Sequence, residues 1–104
     1  MKLKVTEELK ALNGETLFDI TGGVKKNLTL GAIAIDAILR PFEADAQVPG
    51  VEKMARWDLA QRIYKATDEV DISSEEAVLL KNLIARAFPV MIAGQACKMI
   101  DGGK

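Results

Sequence analysis

The chain has 104 residues, one cysteine, no histidine, and 14 basic against 15 acidic side chains, for a formal charge of −1 at pH 7. With 49% apolar and 28% charged residues it has the composition of one folded domain with its own core, not of a disordered chain. The near-neutral balance gives no general attraction to phosphate backbones or anionic lipid, and the lack of histidine excludes serine–histidine and cysteine–histidine catalysis.

Residues 2–6 read Lys-Leu-Lys-Val-Thr, an alternation that fits a short edge strand, although Thr6-Glu7-Glu8-Leu9 fits one helical turn equally well. Residues 1–12 alternate charges with single apolar side chains, so no signal peptide is expected. Asn13-Gly14 is a turn dipeptide. Residues 16–20 and 24–28 are β-prone runs on either side of Gly22-Gly23, which predicts a small hairpin leading into the central helix.

Residues 28–39, L-T-L-G-A-I-A-I-D-A-I-L, are the stretch around which the rest is organised. With Thr29 as N-cap, Leu30, Ile33, Ala34, Ala37 and Ile38 fall at helical spacing on one apolar stripe, flanked by Ile35 and Leu39. Asp36 and Arg40, acid first at i,i+4, supply a single solvated edge. A helix apolar on most sides is a core helix, or in part an oligomer interface.

Pro41 ends this helix, and Pro49-Gly50 marks the turn before the next. A second helix is expected over 52–66, with Glu52/Arg56 and Asp58/Arg62 as acid-first pairs. Val51, Ala55, Leu59, Ile63 and Ala66 share the face expected to meet the core; Met54, Trp57 and Tyr64 gather on another. Residues 67–71 are a short acidic connection. Ser73-Ser74-Glu75-Glu76 is a capping box that opens a third helix, with Leu80, Leu83, Ile84, Ala87 and Phe88 inside and Lys81, Asn82 and Arg86 outside, up to Pro89. A fourth helix over 90–101 ends at Gly102-Gly103. Its interior Gly94 costs about 1 kcal/mol against alanine, which predicts close packing on the central helix. The fold expected is mainly α, a four-helix single domain with a small N-terminal β-hairpin: a hairpin region over 1–28 and a helical core over 29–101.

No constellation for chemistry emerges. Gly22-Gly23-Val24-Lys25-Lys26 lacks the leading glycine of a phosphate loop and the Ser/Thr after its lysine. If Asp68 were the first ligand of a calcium hand, Val70 and Ile72 would occupy ligand positions and Ser73 would stand where glycine is required. The helix dipole explains those acids better. Glu7/Glu8 and Glu75/Glu76, adjacent in sequence, diverge by roughly 100° on a helix and do not converge on one bond. Cys97 reads as a small core residue of a reducing compartment. No catalytic residue, cofactor or metal is expected, and the longest uncharged run, 87–97, is too short to cross a bilayer. A cytoplasmic, non-enzymatic protein follows.

Tryptophan and tyrosine anchor binding surfaces, and methionine adapts to varied partners. Met54, Trp57 and Tyr64 are therefore the candidate interface, unless the hairpin or the fourth helix covers them. The alternative is a small nucleic-acid-associated regulator using the basic helix 53–65, where Lys53, Arg56, Arg62 and Lys65 stand against Asp58 alone around Trp57. The basic residues scatter around the helix, so nucleic acid is not the expected partner.

Three segments resemble small proteins encoded by tailed phages and prophages: Leu28-Thr29-Leu30-Gly31; then Glu52-Lys53 with Asp58-Leu59-Ala60 and Ile63-Tyr64; then Asp71-Ile72-Ser73 with Gly94-Gln95-Ala96. The resemblance covers most of the chain from Leu28 onward and brings with it no activity and no functional residue. The setting it implies is a phage in a bacterial cytoplasm, and the partner it implies is a host or phage protein, or a second copy of the chain.

Overall fold

The elements run in the order β1 (Lys2–Lys4), β2 (Phe18–Thr21), β3 (Val24–Asn27), α1 (Leu30–Leu39), α2 (Gly50–Lys65), β4 (Glu69–Asp71), α3 (Ser74–Ala87) and α4 (Val90–Ile100). They come from a computed structural model that describes residues 2–21, 24–40 and 46–102. The four-helix fold with an N-terminal hairpin is the one that the apolar periodicity predicts. β2 and β3 pair antiparallel in the register Phe18↔Asn27 to Thr21↔Val24, with Gly22-Gly23 between them outside the described residues.

Helix α1 is the hub, packed against α2 and α3 and more lightly against α4. Thr29 caps it, the hydroxyl accepting from the Ala32 amide at 3.3 Å, and Leu30, Ile33, Ala34, Ala37 and Ile38 are all buried. Asp36 and Arg40 form the expected pair at 2.6 Å. Arg40 also donates to the Ala87 carbonyl at 2.7 Å and lies over the Phe88 ring, 4.6 Å from its centroid. The polar edge of α1 thus ties the end of α3 to the hub.

The capping box of α3 forms as its spacing requires: the Glu76 amide donates to Ser73 Oγ at 3.1 Å, and the Ser73 amide to Glu76 Oε1 at 2.8 Å. Leu80, Leu83 and Ile84 face the core, and Ala87 and Phe88 are half-buried. At the far end of α4, Gly102 adopts φ +93°, the left-handed stop expected there.

The chain around β1 is more entwined with the helices than its sequence shows. β1 pairs antiparallel with β4, which sets Lys2 opposite Asp71, Leu3 opposite Val70 and Lys4 opposite Glu69. The acidic connection over 67–71 is therefore partly a strand. Its acids are poor strand formers by propensity, but across the ladder they meet lysines. Beyond β1, Val5 accepts from the Gly31 amide at 3.0 Å and Glu7 from the Leu30 amide at 2.8 Å, so two free amides at the start of α1 are satisfied by the N-terminal arm. Gln95 of α4 clamps the same arm: its amide accepts from the Lys10 N–H at 2.9 Å and donates to the Lys10 carbonyl at 2.7 Å.

Two expectations about packing are corrected. Gly94 is exposed and a Cβ there would meet nothing within 4 Å, because α4 turns Ala93, Ala96 and Ile100 inward and points Gly94 away. The close approach is at Gly31, where a Cβ would lie 2.9 Å from Val5 Cβ and 3.0 Å from the Val5 carbonyl oxygen. Along α2, the buried residues are Leu59, Ala60 and Ile63, with Ala66 half-buried; Val51 and Ala55, expected inside, are exposed. Sixteen residues of α2 extend about 9 Å further than the ten of α1, and among the described residues its buried side chains all lie in its C-terminal half.

Candidate functional site

A core helix buries its large side chains, and α2 does so on one side with Leu59 and Ile63, exposed by 1% and 2%. On the neighbouring face the order is reversed. Met54, Trp57 and Tyr64 are 68%, 54% and 79% exposed, covered by neither the hairpin nor α4. Their spacing, i, i+3 and i+10, lines them up with Gln61 along one ridge about 15 Å long. Lys53 and Lys65 are exposed on the flanks of that ridge, with Asp58 beside it.

The other two basic residues of 53–65 are placed differently. Arg62 pairs with the Glu76 carboxylate and donates to the Asp71 carbonyl at 3.2 Å, which locks α2 to the start of α3. Arg56 is half-buried. Arg62 is exposed but held by its contacts to Glu76 and Asp71, so a basic surface made of all four would have to break contacts that hold the fold.

Tyr64 belongs to a second feature, an open groove of about 910 Å³ beside the ridge. Its lining joins Val5 and Phe18 of the N-terminal region, Ile35 of α1, Tyr64 of α2, and Phe88 and Ile92 at the α3–α4 corner. Ala32 and Asp36, on the outward side of α1, lie within it. The groove exists because α1 is apolar beyond the stripe its neighbours cover: Ile35 is half-buried, and Leu39 on the same flank is 51% exposed. Thr6 adds a polar rim, its hydroxyl donating to Asp68 Oδ1 at 3.0 Å. Sequence reading found Ile35 as a flank of α1 but not the groove, whose lining is assembled from segments far apart in the chain.

Elsewhere the chemistry is quiet. Cys97 is half-buried; burial pushes its thiol pKa up, and Sγ lies 3.7 Å from the Lys81 carbonyl it donates to, so the thiolate nucleophile is disfavoured. Among the described residues no group of three or more His, Cys, Asp or Glu side chains is placed to hold a metal ion, and no helix is long and apolar enough to cross a membrane. Comparison with protein-family models, curated proteins and solved structures finds no match.

Proposed function

We propose that this chain is a non-enzymatic protein-interaction domain, which binds through the ridge of Met54, Trp57 and Tyr64 in a bacterial cytoplasm, in the phage setting its sequence resemblance implies. The observation that carries the reading is the reversed burial on α2. A domain of 104 residues leaves its only tryptophan and its only tyrosine 54% and 79% exposed on one helix face. Large amphipathic side chains held on a rigid element lose little entropy on binding and desolvate a large area, which makes them anchors of protein contacts. The commitment of Arg62 to Glu76 and Asp71 favours a protein partner over nucleic acid, since it subtracts a cation from the basic helix.

The test compares the wild-type chain with the Trp57→Ala/Tyr64→Ala double variant in two assays: retention of proteins from bacterial and phage-infected lysates, and titration with DNA and RNA across a salt series. Protein binding or self-association lost in the double variant, with nucleic acid unbound, supports the reading. Salt-dependent binding of DNA or RNA, or protein binding unchanged by the double substitution, overturns it.

A further inference from the structure

No further inference is drawn: the strongest candidate, the open apolar groove lined by Val5, Phe18, Ile35, Tyr64, Phe88 and Ile92, adjoins the ridge already described through Tyr64, and nothing in the structure shows what covers it.

Discussion

Helices α2 and α3 are of similar length, and each buries one face. α3 turns Ala77, Leu80, Leu83 and Ile84 inward and shows solvent a surface in which Val78 is the one large apolar side chain more than half exposed among its described residues. α2 turns Leu59, Ala60 and Ile63 inward and shows solvent methionine, tryptophan and tyrosine. The first is what folding alone requires of a surface helix. The second carries more apolar surface than the core uses, and that surplus is what the proposed binding role rests on.

The largest effects belong to the inner faces, where the two helices should be alike. Leu80→Ala and Leu59→Ala remove side chains that are 0% and 1% exposed and should each cost about 2–5 kcal/mol in denaturant unfolding. If Leu59→Ala costs far less than Leu80→Ala, α2 is peripheral along its whole length and the contrast is misplaced. Glycines sharpen the same division of inside from outside. Gly31→Ala forces a methyl group against the Val5 backbone and should destabilise by about 1–3 kcal/mol. Gly94→Ala, in open space, should stabilise by up to about 1 kcal/mol through helix propensity. Helix ends come next. Ser73→Ala removes the acceptor of the Glu76 amide and should lower stability by about 1 kcal/mol, an effect with no counterpart in α2, whose start at Pro49 has no side-chain cap. An unchanged melting curve would place the start of α3 elsewhere.

What was legible in the sequence is what depends on neighbours within a few residues. The stripe of α1, the caps at Thr29 and Ser73, the Asp36–Arg40 pair and the left-handed Gly102 are all set by local periodicity and local hydrogen bonding. What escaped depends on partners distant in the chain. β4 is three residues with one apolar side chain, and only its pairing with Lys2–Lys4 makes it a strand. One signal was present, the Lys-Leu-Lys and Glu-Val-Asp triplets with matching alternation and opposite charge, which the ladder sets face to face. Gly31 and Gly94 look alike as interior helix glycines; the arm that crosses one and not the other comes from residue 5. Met54, Trp57 and Tyr64 could be grouped on a face from spacing alone, but whether another element lay over that face was a question of tertiary placement.

The smallest stability effect is expected at Trp57. Trp57 is 54% exposed, so Trp57→Ala forfeits the contacts of only part of the ring, and the better helix propensity of alanine offsets some of that loss. The net cost should stay below about 1 kcal/mol, against about 3–5 kcal/mol for a buried aromatic. In a domain of this size that is a shift of no more than roughly 4–8 °C in Tm. Because Trp57 is the only tryptophan, the wild-type chain reports on the same question without mutation. In dilute solution its fluorescence should be red-shifted and readily quenched by acrylamide. A blue emission that resists quenching at the lowest concentration would mean that the indole is buried within the single chain. The surplus of apolar surface on α2, and with it the contrast to α3, would then disappear.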